Sequence, residues 1–475
     1  MKTFLPSVKP SYSQTNLPGT KSYRKLIFLF IAFTCSFGRF AAAQVTVAGS
    51  AGANGTYTSL TNAGGAFAAI NANNQAGRNI TISITANIAT EAGTNALTGG
   101  AGMWTTLTIT PSGTRTVSGT RNGVLFDLSG ADNVTINGLN SGGNSLSFSN
   151  TSTNTSAATF RFINDATNNT ITNCTILGSS TGNGTGTIFF STRGSGNGND
   201  NNTISSCNIT AAGANLPTNA IFAWGTTSST ARMNSTVSIT GNNIYDFFNA
   251  TASCNGIYIY EGNIDWTISN NRIYQTASRT FTTTALRYTG IRIDDNSLLG
   301  STYHTISGNV IGFANSAGTG TTTITGSSNE FRGIEIVSAS SATATSIQGN
   351  TISGINQTTS RASTNTINSC FIGIMCGSAA VGKFNVGTTT GNTIGDLAGS
   401  STIVINESST TANTAPAIAI MDFGNASNSI SNNNIGSITV QGAGTTVGFR
   451  AIYVYTTTGL TETIVTRSRA RRRPG

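Results

Sequence analysis

Charge is what this chain has least of. Of its 475 residues only 9% are charged, against roughly 25% in an average globular domain. It has 7 prolines and one histidine, His304. So few prolines beside 55 glycines exclude a collagen repeat and a proline-rich linker. One histidine and no Cys-x-x-Cys segment argue against a Cys/His zinc site. No His-Glu-x-x-His or phosphate-loop segment occurs, so neither a metal nor a cofactor is expected. What fills the chain instead is Gly, Asn, Ser and Thr, threaded with Ile, Val and Phe. An apolar content of 37% is enough to build a core and unlike a highly charged disordered chain.

The net charge of +9 is concentrated at the two ends. Residues 1–43 carry six basic side chains and no acidic one, and residues 467–475 carry five arginines. The body between them is left at −2, with a single lysine, Lys383. Such a body lacks the basic face that releases counterions from phosphates, which argues against a nucleic-acid partner.

Basic residues run up to Lys25, an apolar stretch follows over Leu26–Gly38, and Ala41-Ala42-Ala43 precedes Gln44. This order predicts a secretory signal peptide over 1–43 with cleavage after Ala43. The 13 apolar residues fall short of the roughly 20 needed to span a bilayer, so no transmembrane segment is expected in the mature chain. The expected location is outside the cell or on its surface. Five cysteines then remain, an odd number that cannot all pair within one chain.

The body repeats itself. One motif runs apolar-[Ser/Thr/Gln]-x-[Asn/Cys]-x-Ile: ITNCTI at 171–176, ISSCNI at 204–209, ITGNNI at 239–244, ISNNRI at 268–273, ISGNVI at 306–311, IQGNTI at 347–352 and ISNNNI at 430–435, with a degenerate copy ending at Ile394. Its closing isoleucines recur about every 37 residues, the period of a solenoid or propeller. A second motif alternates with it: GIYIY at 256–260, GIRID at 290–294, GIEIV at 333–337, GIMCG at 373–377, AIAIM at 417–421 and AIYVY at 451–455. Both alternate apolar and polar residues, so both read as short strands with one face inward. Two strands per repeat with no helical period do not suit four-stranded propeller blades. They suit coils wound one above another, each strand about 4.8 Å from its equivalent. Two residues before each closing Ile a row of its own forms: Cys174, Cys207, Asn242, Asn271, Asn309, Asn350, Asn392 and Asn433. At a tight corner these amides can bond the backbone and one another. Cys370 fits either this row or the approach to GIMCG.

With Ile rows and an Asn row at the turn, the chain resembles right-handed parallel β-helix proteins of the pectate-lyase-like kind. GTYTSLTNAGGAFAAIN at 55–71 and NITISITANI at 79–88 resemble the amino-terminal cap of secreted β-helix proteins of Bacteroidetes-type bacteria, and residues 115–140 resemble their first coils. The resemblance covers about 45–465. It implies an all-β, right-handed parallel β-helix solenoid of roughly ten coils. AGGAFAAINAN reads as its short capping helix. The expected organisation is a cap and first coils over 44–140 and repeats over 141–466. Residues 467–475 break the repeat, with Arg467 in the place of a row Asn. They are expected to be an aberrant tail left by truncation or frameshift, the alternative being a basic tail for an acidic polymer.

The resemblance also implies that such a fold can host polysaccharide lyases and hydrolases, so a site has to be sought. Pectinase-type hydrolases pair carboxylates about the scissile bond and carry Gly-His-Gly. Here the segment is Tyr303-His304-Thr305. Lyase-type relatives use a Lys or Arg base beside acids, and Lys383 has no acidic cluster near it in sequence. One place is richer. Outward positions of the second motif are expected to stack as Tyr258, Arg292, Glu335 and as Tyr260, Asp294, Val337, with Glu261, Asp295 and His304 nearby in sequence. As a sugar site, Tyr258 and Tyr260 would stack on a ring, with Glu261, Arg292, Asp294 and Glu335 as polar contacts. As a catalytic site, Asp294, Asp295, Glu335, Arg292 and His304 would carry it. The alternative is an Arg-carboxylate ladder on a solvated sheet, which does little. Gly194–Asn202 reads as a loop, since its single acid is too few for calcium.

The expectation is an exported non-catalytic scaffold or adhesin whose partner is a polysaccharide or cell-surface glycan. A polysaccharide lyase or glycoside hydrolase is the alternative. A Thr-based ice-binding array is disfavoured, because TTTIT at 321–325 does not recur in register. Expressed in a secreting bacterial host, the protein should leave the cytoplasm with Gln44 as its first residue. Mass spectrometry of the exported chain checks this, and an exported chain retaining Lys25 would overturn it.

Overall fold

The computed structural model describes Ser11 and residues 43–465, apart from 100–101, 192–195, 295–301, 339–341, 363–364, 378–381, 398–401, 410–416, 425–426, 443–447 and 456–462. The expected signal segment, Asp295 and the basic tail lie outside the described residues.

Strands begin where Ile, Val and Thr alternate with polar residues, and they pair in parallel with the equivalent strand one repeat on. Among the described residues they form a 14-stranded, an 11-stranded and a 10-stranded sheet, with a smaller 5-stranded sheet at one side. The chain visits the three large sheets in turn, so the architecture is a parallel β-helix. The first motif is not one strand. In ITNCTI, Thr170–Thr172 belongs to the 14-stranded sheet and Cys174–Gly178 to the 11-stranded one. Between them Asn173 takes the left-handed conformation with φ 55°. Ser206, Gly241, Asn270, Gly308, Gly349 and Asn432 do the same in other coils. A repeat therefore carries three strands rather than two. The corner uses one left-handed residue, and the apolar-polar alternation runs through it almost unbroken.

In-register pairing puts like on like. Ile171, Ile204, Ile239, Ile268, Ile306 and Ile347 stack along the 14-stranded sheet. Ile176, Ile209, Ile244, Ile273, Ile311, Ile352 and Ile394 stack along the 11-stranded one. Ile221, Ile257, Ile291, Ile334 and Ile374 stack along the 10-stranded one. All are buried. Aromatic residues stack likewise inside the coil, Phe247 on Tyr288, Tyr288 on Phe331 and Phe331 on Phe371 at 5.2–5.5 Å. Four copies of the second motif open on Gly because the backbone of the next coil passes too close for a side chain. A Cβ on Gly290 would meet the Gly333 carbonyl oxygen at 2.7 Å and Ile311 at 2.8 Å.

The corner beside the left-handed residue is held by an amide ladder. The backbone N–H and Nδ2 of Asn242 both donate to Oδ1 of Asn271, each at 3.0 Å. Asn271 does the same to Asn309, Asn309 to Asn350, Asn350 to Asn392 and Asn392 to Asn433. The second Nδ2 hydrogen goes to a carbonyl of the preceding coil, as from Asn309 to Ile268. A further ladder, not foreseen from the sequence, links Asn199, Asn234 and Asn263.

The first end is closed by an antiparallel strand, Val45–Ala48, and a six-residue helix, α1 (Ala66–Asn71), that buries Phe67 and Ile70. Glu91 fastens this cap. Its buried carboxylate accepts from the backbone N–H of Leu60 and Thr61 and from the Thr61 hydroxyl.

Replacing Asn309 by Ala would orphan the Asn271 N–H and the Ile268 carbonyl. At about 1–3 kcal/mol per stranded group, the thermal midpoint should drop by several degrees. Circular dichroism checks this, and a midpoint unchanged from wild type would show that the ladder is dispensable.

Candidate functional site

The outer face of the 10-stranded sheet carries most of the chemistry. Because Ile257 and Ile259 point inward, Tyr258 points out, and the register places Phe222, Tyr258, Arg292, Glu335 and Met375 in one outward row. The Arg292 guanidinium lies over the Tyr258 ring, 4.8 Å from its centroid. It donates to Asp294 at 2.6 Å, and the Tyr258 hydroxyl sits 3.4 Å from the same carboxylate oxygen. Asp294 does not stand opposite Val337, as alternation suggested. The register slips after Ile293 and pairs it with Ser338.

Glu335 is brought to this row but is not available to a ligand. It is 1% exposed, held by Arg287 at 2.5 Å and with Arg292 at 3.7 Å. Its neighbour Glu330 is gripped by Arg287 at 2.7 Å, Arg332 at 3.1 Å and Arg361 at 2.7 Å. Burial pushes the Glu330 carboxyl up, but the three guanidiniums outweigh it and hold it below the usual carboxylate range. Arg332 is fully buried, and burial lowers it to about 10, so it stays cationic at neutral pH. The expected solvated ladder is thus a largely buried ionic cluster.

Beside this cluster lies an open groove of about 550 Å³, its floor crossing three coils. Phe222, Trp224, Tyr258, Tyr260 and Arg292 line it with Asn183, Asn219, Asn255, Thr251 and Ser253. Its rings meet edge to face, Phe222 with Tyr258 at 5.2 Å, Tyr258 with Tyr260 at 5.8 Å and Trp224 with Tyr260 at 5.8 Å. Trp224 is 44% exposed. On the floor Asn255 donates to Asn219 at 2.8 Å, while its own Oδ1 is buried and has no partner. Burial pushes the Tyr258 and Tyr260 phenols up, so both stay protonated donors at neutral pH. Glu261 follows directly, its carboxylate near the Tyr260 hydroxyl. Aromatic faces, amides and hydroxyls without free charge suit a ligand with apolar ring faces and many hydroxyls.

Sequence reasoning found Tyr258, Tyr260 and Arg292 and missed Phe222, Trp224, Asn219 and Asn255. The signal lay in AIFAW at 220–224, which aligns with GIYIY and puts aromatic residues beside aromatic residues. His304 does not join the site. It lies in the 14-stranded sheet, buried, its Nδ1 accepting from the Trp266 N–H at 3.3 Å and its Nε2 without a partner. Gly178-Ser-Ser-Thr-Gly182 has the spacing of a hydrolase nucleophile turn, but the buried Ser180 hydroxyl meets the Asn154 carbonyl and Thr185, with no histidine to activate it. Among the described residues no group of three or more His, Cys, Asp or Glu is placed to hold a metal.

No family model matches the chain, and no curated protein matches it. Among solved structures it is similar to the Agl-KA catalytic domain, at 13% identity and a TM-score of 0.31, over 79% of this chain and 61% of that one. The chain thus spans about three-fifths of that domain, and the fold assignment rests on the strand register above.

Burial lowers His304 from 6.5 to about 3. The unfolded chain takes up this proton near 6.5 and the folded chain only near 3. The contribution is therefore complete above pH 6.5 and is lost as pH falls toward 3. His304→Phe should flatten the decline of the thermal midpoint over that window. Identical midpoint-against-pH curves for variant and wild type would refute the assignment.

Proposed function

We propose that this chain is an exported, non-catalytic β-helix protein that holds a glycan in the groove at Tyr258, serving as a scaffold or adhesin outside the cell. The observation that carries the reading is the aromatic-lined groove set beside carboxylates already committed to arginines. An extended glycan laid across the coils meets Trp224, Tyr260 and Tyr258 with its ring faces, and its hydroxyls meet the phenols, amides and hydroxyls that line the groove. Among the described residues, the one ionised side chain lining the groove is Arg292, matched by Asp294. The groove therefore favours an uncharged polysaccharide over an acidic one.

The second reading is a polysaccharide lyase or glycoside hydrolase. One observation favours it: Glu261 and Asp294 both act on the Tyr260 phenol, so two acids flank one end of the groove. No helix among the described residues is long and apolar enough to cross a membrane, which leaves the groove as the feature that suggests a partner.

Purified protein should be retained on insoluble neutral polysaccharides without releasing reducing ends or unsaturated uronates. Trp224→Ala and Tyr260→Ala should each weaken retention about tenfold, the loss of one stacked ring. Chain cleavage that disappears in Asp294→Asn would make the protein an enzyme. Retention unchanged in both aromatic variants would sink the groove as the site.

A further inference from the structure

We propose that Cys174 and Cys207 are a disulfide-forming pair that covalently joins two successive coils at the corner held elsewhere by the amide ladder. The two strands they begin or precede are in register, with Thr175 opposite Asn208 and Ile176 opposite Ile209. The residue before each pair member is therefore one coil from the other, a spacing of about 4.8 Å. That lies inside the roughly 4.4–6.8 Å between Cα atoms that a disulfide spans. The thiols turn to the same side of the corner. Each lies 3.2 Å from the carbonyl two residues before it, Thr172 for Cys174 and Ser205 for Cys207.

The position explains the choice of residue. Further along, each row Asn gives its neighbour two hydrogen bonds. Cys207 still donates its backbone N–H to Asn242 at 2.9 Å, but no side-chain amide links it back to Cys174. A covalent bond would replace that link. Cys254 stands opposite Tyr288, and Cys376 stands between Ile336 and Asp422. Cys370 immediately precedes Phe371, which stacks on Phe331.

The chemistry is thiol-disulfide exchange with a small-molecule disulfide. The two thiols are equivalent while the coils are open, and Cys207 can serve as the first nucleophile. Its thiolate attacks one sulfur of the small disulfide and expels a thiolate. The Cys174 thiolate then attacks Cys207 Sγ in the mixed disulfide and expels the second. Two protein thiols give up two protons and two electrons, and one small disulfide becomes two thiols. Both sulfurs are about 1% exposed in the folded coil, so the exchange belongs to folding, while the coils are still open.

The test is to refold the full, reduced chain in a mixture of reduced and oxidised glutathione, alkylate it, and map its tryptic peptides. Cleavage after Arg161, Arg193 and Arg232 puts Cys174 in 162–193 and Cys207 in 194–232. The expected major product is these two peptides joined, lighter by two hydrogens. The unfolding midpoint of that form should exceed that of the reduced form by several degrees and return to the reduced value on adding reductant. Recovery of both peptides alkylated from correctly folded protein would overturn the proposal. So would pairing of either residue with Cys254, Cys370 or Cys376 as often as with its neighbour. The wild-type map alone decides if Cys207→Ala does not fold; if it folds, its midpoint should be insensitive to glutathione.

Discussion

Everything in this molecule depends on keeping one coil in register with the next. A strand that slips by one residue turns its Ile from the core to solvent. Here such a slip would also tear the amides from their carbonyls. The ladder from Asn242 to Asn433 makes the register discrete. From Asn271 to Asn392 each Oδ1 accepts two N–H groups of its neighbour, and each Nδ2 gives one bond to the next coil and one to a preceding carbonyl. The left-handed residue beside it leaves backbone groups that water cannot reach, and the amide satisfies them. Apolar burial supplies the drive to wind; the amide row fixes where each coil stops.

The outward row follows from the same constraint. Once Ile257, Ile291 and Ile334 are stacked inside, Tyr258, Arg292 and Glu335 must stack outside, whatever they do there. The aromatic groove is thus assembled from residues 30–40 apart in sequence by a register set in the core. Phe222 and Tyr258 sit on paired strands, and Trp224 and Tyr260 follow directly at their ends, so the register sets the separations of the rings. That is how a shallow site keeps a shape for a ligand that offers no charge to grip.

The repeat period, the Ile rows and the Asn row were legible because each is a statement about identical residues at equal spacing. The third strand was not, because its corner is a single left-handed residue and the alternation continues through it. The outward row at Tyr258, Arg292 and Glu335 followed from alternation alone. The burial of Glu335 did not, since it depends on Arg287, at the start of the neighbouring strand and outside the motif. Trp224 was hidden for another reason. AIFAW reads from sequence as a looser copy of the second motif, but only the spatial register sets Phe222 against Tyr258 and brings Trp224 to Tyr260. His304 looked close to the patch because ten residues separate it from Asp294, but in a coil of three sheets ten residues is enough to turn a corner onto another face.

A chain with so few charges places many of its described ion pairs on two adjacent strands, Arg287–Asp294 and Glu330–Ser338, with Arg361 joining from a later loop. Buried ion pairs are poor stabilisers, since desolvation cancels most of the attraction. They are good locators, because a misplaced partner leaves a buried charge alone. Glu335 is held by Arg287, while Asp294 accepts from Arg292 and keeps its guanidinium over the Tyr258 ring. The cluster therefore acts on the groove indirectly. It holds one wall ring and its cation in place and leaves the remaining surface neutral, aromatic and open.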